Sequence, residues 1–263
     1  MGRLDGQAAI VTGGGSGIGR ETAKMLAEEG AHVVVAGRRK QPLDAVVKEI
    51  GQAGGKATAR QADVARHAEA VELARWTVAT LGRVDVLVNN AGHSSKVRSI
   101  RWVGQDEWDS VLDVNLNGVY ALTQAVLPTM IERGGGTIVT VSSVAAFRPG
   151  LIGGAPYGAA KAGVRSLMGH VHAVLRDKGI RATTIMPAEV DTPILENRPL
   201  VPDARARATM MQPEDVARAI LLCVTLPPRT VIEEIVMSPT IARDMAADIA
   251  AAARIGEPGA ARR

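Results

Sequence analysis

Six short runs rich in β-branched residues, Ala8–Thr12, Val33–Ala36, Thr58–Gln61, Val84–Asn89, Thr137–Ser142 and Ala182–Met186, alternate with segments long enough for helices. That alternation leaves few folds open. Neighbouring parallel strands need crossovers of about a dozen residues or more, and each crossover helix must bury its apolar side against the sheet. The order therefore predicts an α/β fold: a single doubly wound domain whose mostly parallel, seven-stranded sheet is flanked by helices, with 231–237 as the last strand. In the first crossover, Ile18, Thr22, Leu26 and Glu29 recur at helical spacing, and Gly30 stops the helix before the second strand. Pro213, Glu214 and Asp215 favour a late helix start, and Pro227 and Pro228 end that helix.

The chain has 263 residues with no break in composition, so one domain is expected over 1–240, including a variable loop at 193–212. Ile241, Met245 and Ile249 outline a short helix in the remaining 241–263, and the tail from Gly256 is expected to be disordered. Aromatic residues make up 2% of the chain, so the core must be built from small aliphatics. A membrane helix needs roughly 20 consecutive apolar residues, and none is present. The strand-like run at Ala8 leaves no room for a secretory signal, Gly6 stands where a myristoylation motif needs Ser or Thr, and Cys223 alone allows no internal disulfide. These features predict a cytoplasmic protein with no membrane partner. The net charge of +4 is dispersed among acids, which argues against nucleic acid. His93, His170 and His172 have no metal-ligand spacing, so no metal site is expected.

Chemistry first shows in TGGGSGIG, where Thr12, Gly13, Ser16, Gly17, Ile18 and Gly19 lead from the first strand straight into a helix. Glycines there permit a tight turn, and the helix's free N–H groups can hold a pyrophosphate. Dinucleotide sites that select NAD place an acid after the second strand to bind the ribose 2′-hydroxyl. Here Arg38 and Arg39 stand instead. A guanidinium can pair with the extra phosphate of NADP through charge-assisted bonds individually worth roughly 1.5–3 kcal/mol. The reading is NADP(H) ahead of NAD(H), although the glycine turn lacks the further basic residue that some NADP sites carry.

Tyr157 and Lys161 are four residues apart, on one face of an amphipathic segment. A phenol titrates near about 10 alone. A neighbouring ammonium, together with an oxidised nicotinamide, is expected to lower that value towards the range of a general base. Ser142 and Ser143 end the fifth strand, at the carboxyl edge where open parallel sheets bind ligands.

The glycine spacing, NNAG at Asn89–Gly92 and YGAAK at Tyr157–Lys161 together resemble the short-chain dehydrogenase/reductase family over residues 8 to 193. The resemblance implies a Rossmann-type domain and an oxidoreductase that moves hydride between NADP(H) and a small-molecule carbonyl or secondary alcohol. Its catalytic set would be Asn115, Ser143, Tyr157 and Lys161, with Tyr157 as general acid and base. Ser143 is preferred over Ser142, and Asn115 over the nearby Asn117, on the family motif. Asn115 would organise a water-linked proton path to the lysine. Asn90, Ala91 and Gly92 would shape the cofactor crevice, Asp63 and Val64 would contact the adenine, and Pro187, Val190 and Thr192 would hold the nicotinamide end. One departure stands out: the family's usual Pro-Gly is Pro187-Ala188 here, followed by Glu189. In the variable loop, Arg198, Arg205 and Arg207 offer partners for a carboxylate or phosphate, or else a solvated surface; Glu196 lies among them. The segment 226–240 resembles the ending of an NADP-linked hydroxy-acid and broad-carbonyl subgroup. The family also implies a homodimer or homotetramer, and the competing function is an NADP(H)-binding sensor or scaffold without turnover.

Overall fold

The β-branched runs pair as the alternation predicts. In the computed structural model, which describes residues 2–258, seven strands form one sheet: β1 (Ala8–Thr12), β2 (His32–Gly37), β3 (Lys56–Gln61), β4 (Val86–Asn89), β5 (Gly136–Val141), β6 (Ile180–Pro187) and β7 (Glu234–Met237). Their order is β3-β2-β1-β4-β5-β6-β7, and every pairing is parallel. The chain thus forms a single Rossmann-like α/β domain. Because the side-chain period in a strand is two, alternate residues feed opposite layers. Ala9, Val11, Val33 and Val35 pack with α1 (Gly17–Glu28), α2 (Lys40–Gln52) and, later in the chain, residues 213–225. Ile10, Val34 and Leu87 pack on the other face with α3 (His67–Leu81) and residues 118–132 and 155–175. The largest fully buried side chains are all Leu, Ile or Met, as a chain poor in rings requires.

The remaining helices are α4 (Gln105–Leu112), α5 (Gly118–Glu132), α6 (Ala155–Leu175), α7 (Ala204–Arg207), α8 (Pro213–Thr225) and α9 (Ala246–Arg254). A reciprocal cap between Gln212 and Asp215 begins α8, and Cys223 is buried in the core. No helix among the described residues is long and apolar enough to cross a membrane.

Two boundaries differ from expectation for local reasons. β7 starts at Glu234 rather than at 231, because Thr183 Oγ1 donates to Ile232 O at 2.6 Å and a side chain replaces the ladder there. The last helix starts after Met245, where the Asp244 carboxylate accepts the Ala246 N–H at 2.9 Å, so Ile241 lies outside it and is exposed. After α9, Gly256 packs against Val97 and Trp102. Of the tail expected to be disordered, residues 256–258 make a turn, and 259–263 lie outside the described residues.

Candidate active site

Where β1 and β4 lie side by side, successive crossovers leave to opposite sides of the sheet and open a crevice at its carboxyl edge. The glycine turn forms one wall. Gly13 has φ +63°, and a Cβ there would come within 3.0 Å of Ala91 Cα. Thr12 Oγ1 accepts the N–H groups of Asn90 (3.0 Å) and Ala91 (3.1 Å), and Asn90 Nδ2 donates to Thr12 O at 2.9 Å, so the two loops are tied together. A Cβ on Gly17 would meet Thr192 Cγ2 at 3.2 Å, which brings the loop after β6 against the same turn.

A cleft of about 720 Å³ runs along this edge. Arg38 and Arg39 lie on its rim, Gly13, Ser16, Gly17 and Ile18 follow, and Asn90, Ala91 and Gly92 line its middle. Pro187, Val190 and Thr192 lie opposite. Four expected cofactor residues do not line it. Thr12 and Gly19 stand behind the wall, where a side chain on Gly19 would strike Gly13 O and Asn90 Nδ2. Asp63 and Val64 come just after β3. The Asp63 carboxylate accepts the Ala65 N–H at 3.2 Å, and Val64 O abuts Gly118.

At the far end Ser143, Tyr157, Lys161 and Asn115 converge on the cleft. Helix α6 carries both Tyr157 and Lys161. Lys161 is buried, its Nζ donates to Val141 O at 2.8 Å, and it lies 5.4 Å from the centre of the Tyr157 ring. Ser142 Oγ is committed to Lys161 O at 2.8 Å, whereas Ser143 Oγ makes only a 3.4 Å contact to Pro187 O as a donor. Asn115 sits in a π-helical turn between α4 and α5, fully buried, with Nδ2 donating to His93 O (2.8 Å) and Val111 O (2.9 Å). Its Oδ1 has no partner. A Cβ on Gly92 would lie 2.7 Å from that oxygen and 3.6 Å from Lys161 Nζ, so both atoms border one small space. Asn117 instead bonds Asp113 at the surface, at 2.8 Å.

Burial decides the electrostatics here. It raises the Tyr157 phenol above its ordinary value, opposed by the Ser143 hydroxyl and by the positive charges of Arg98 and Arg198. Burial also lowers Lys161 to about 8. Of the two causes expected to lower the phenol, the ammonium is the weaker here: burial disfavours the lysine's own charge, and the cations that oppose the rise are arginines. A pH dependence follows. Between pH 8 and the ordinary lysine value the unfolded chain binds the proton that folded Lys161 has released, so stability rises with pH across that window. Lys161→Met should remove up to about 1.4 kcal/mol per pH unit from the rise between pH 8 and 10, measured by urea unfolding. An identical slope in both proteins would show that Lys161 keeps its proton.

The short chain dehydrogenase family model matches residues 7–200. The chain belongs to the short-chain dehydrogenase family. An uncharacterized oxidoreductase of Staphylococcus aureus strain USA300 is 36% identical over 238 residues, covering 90% of this chain and 98% of its own. A metagenomic short-chain oxidoreductase solved in complex with NADP has a TM-score of 0.79 and 32% identity, with 91% of this chain and 100% of that one covered. The 3-ketoacyl-(acyl-carrier-protein) reductase of Brucella melitensis, complexed with NADH, gives 0.80 and 31% over 89% and 98%. This short-chain dehydrogenase is therefore an oxidoreductase.

Its departure at Glu189 has a structural role. Glu189 accepts from Arg198 at 2.6 Å and from Arg243 at 2.9 Å, and Arg243 also donates to Asp248 on α9 at 2.8 Å. The network holds the segment after β7 across the cleft, where Met245 and Ile249 join the wall. Sequence periodicity had marked those two residues only as part of a helix. Of the loop arginines, Arg198 reaches the cleft, Arg205 is exposed, and Arg207 is taken by Asp191 and Glu196. Arg98, which nothing in the motif pattern singles out, also lines the cleft. His93 does too, its Nε2 bonded to Ser110 O at 2.9 Å. Among the described residues no three His, Cys, Asp or Glu side chains gather as metal ligands. Arg243→Met leaves Glu189 and Asp248 short of a partner and should destabilise by up to about 3–5 kcal/mol. Hydrogen exchange should quicken over 241–257 first; unchanged protection there would show that the ion pairs do not anchor α9.

Proposed function

We propose that this short-chain dehydrogenase transfers hydride between NADP(H) and a small-molecule carbonyl or secondary alcohol, with Tyr157 as general acid and base. The observation that carries the reading is the convergence of Tyr157, Ser143 and Lys161 at the end of the cleft that begins at the glycine turn. The turn suits a pyrophosphate, because Gly13, Ser16, Gly17 and Ile18 line the cleft where α1 begins and its free N–H groups face outward. Arg38 and Arg39 are exposed at the rim, and among the described residues neither shares an ion pair, which suits the 2′-phosphate. The NADP complex of the metagenomic relative supports that choice, while the Brucella reductase was solved with NADH.

The nicotinamide supplies or takes up the hydride when bound. Tyr157 Oη gives its proton to the substrate oxygen during reduction and recovers it during oxidation. Ser143 Oγ donates a hydrogen bond to the same oxygen as its charge develops. Lys161, fixed by Val141 O, returns a proton to the phenol, and the free Oδ1 of Asn115 would accept a hydrogen bond from the water that resupplies the lysine. Burial raises the phenol above its ordinary value, so alcohol oxidation, which needs the phenolate to take up a proton, should gain with rising pH. Assembly through α5, α6 and β7 belongs to the same reading: Tyr120, Val174 and Val236 leave apolar surface exposed on those elements. The test is a panel of carbonyls and alcohols assayed with each cofactor by nicotinamide absorbance. Turnover of at least one class with NADP(H) is expected. Tight NADPH binding with no turnover anywhere would replace the enzyme by a sensor.

A further inference from the structure

Arg98 is 3% exposed, yet it has no anionic partner among the described residues. Nη1 donates to Ile152 O (3.0 Å) and Gly153 O (2.8 Å), and Nη2 donates to Ser94 Oγ (3.2 Å) and Asn197 O (3.3 Å). All four acceptors are neutral, and Nε is buried with none. Glu107, the one carboxylate whose charge it feels, is turned to the N–H groups of Lys96 and Val97. A buried cation without a counter-charge is costly. This one borders the same cleft as Tyr157, and its positive charge acts on the phenol.

The rest of the substrate end has the same sign. Arg98, Arg148, Arg198 and Lys161 line it against Glu189 and Glu196. Glu189 and Asp248 are matched by Arg198 and Arg243, while Glu196 shares Arg207 with Asp191, which leaves one negative charge against Arg98, Arg148 and Lys161. Arg148 lies over the Phe147 ring at 5.2 Å and shares no ion pair among the described residues. The surplus charge is therefore positive at the end where Tyr157 works.

We propose that the substrate carries a carboxylate, an oxo acid in one direction and the hydroxy acid in the other, and that Arg98 is the specificity-determining residue that supplies its counter-charge. This names the substrate class of the reaction proposed above and rests on that reading.

The test uses a panel of 2-, 3- and 4-oxo acids, linear and aromatic, each beside its carboxamide and methyl ester. Binding of acid and amide is measured by calorimetry with NADP⁺ present, so that neither is reduced, and at least one acid should bind tenfold or more tightly than its amide. Arg98→Gln should cut the acid-to-ester ratio of kcat/KM at least tenfold in the NADPH-driven reaction, whatever loss the two substrates share, and Arg98→Lys should restore part of it. The ratio separates recognition from the bonds to residues 152, 153 and 197, whose loss would slow both substrates alike. If no acid in the panel binds more tightly than its amide, or if the ratio survives Arg98→Gln, the proposal is overturned. Should Arg98→Gln fail to fold, the calorimetry of the unaltered protein decides. Absence of any reduction would count against the oxidoreductase chemistry instead, with the binding comparison still deciding the role of Arg98.

Discussion

Tyr157→Phe is expected to lower kcat by about 10²–10⁴-fold while cofactor affinity stays within about threefold. The ring survives the substitution, so the packing against Gly153 and the Lys161 contact at 5.4 Å are kept, and only the hydroxyl is lost. That hydroxyl faces the Ser143 hydroxyl and the field of two arginines, and burial raises it above its ordinary value. Without it the substrate oxygen has a hydrogen-bond donor but no acid. Steady-state rates and an NADPH fluorescence titration check both halves. An unchanged kcat would move the proton transfer elsewhere; a lost affinity would make Tyr157 a binding residue.

The second large effect belongs to the rim. Arg38→Asp should lower the preference for NADPH over NADH, as a ratio of kcat/KM, by roughly 10² or more, from the loss of charge-assisted bonds to the 2′-phosphate and the repulsion an acid adds. The same carboxylate should favour the ribose hydroxyls of NADH. Arg38 is exposed and shares no ion pair among the described residues, so the change should leave stability nearly untouched. Measuring both cofactors with one substrate gives the ratio directly, and a ratio equal to that of the unaltered protein would remove Arg38 from cofactor choice.

The sheet was legible in advance because each strand's content is set by its neighbours in sequence: runs such as Val33–Ala36 have nowhere to go but the interior. The glycine turn and the Tyr157/Lys161 pair were legible for a similar reason, since short spacings fix their relative positions whatever the rest of the chain does. Strand ends were less so, because side chains settle them, as Thr183 does at β7. Arg98 was not legible at all. In SSKVRSI nothing marks an arginine for burial, and it is buried only because loops distant in sequence, at 152–153 and 197, close over it. Glu189 was noticed as a departure, but its partner Arg243 lies 54 residues on. The state of Lys161 was illegible for the same reason: helical spacing shows that it is near Tyr157, and only the packed structure shows that burial disfavours its charge.

Transfer of deuterium from the nicotinamide C4 of labelled NADPH, followed by mass spectrometry of the product in a single turnover, bears most directly on whether these residues form a working hydride-transfer site. The label should arrive on the carbinol carbon of an oxo-acid substrate, at a rate that collapses in Tyr157→Phe. Saturated, tightly bound cofactor that delivers no label to any carbonyl offered, or delivery equally fast without the phenol, would contradict the account.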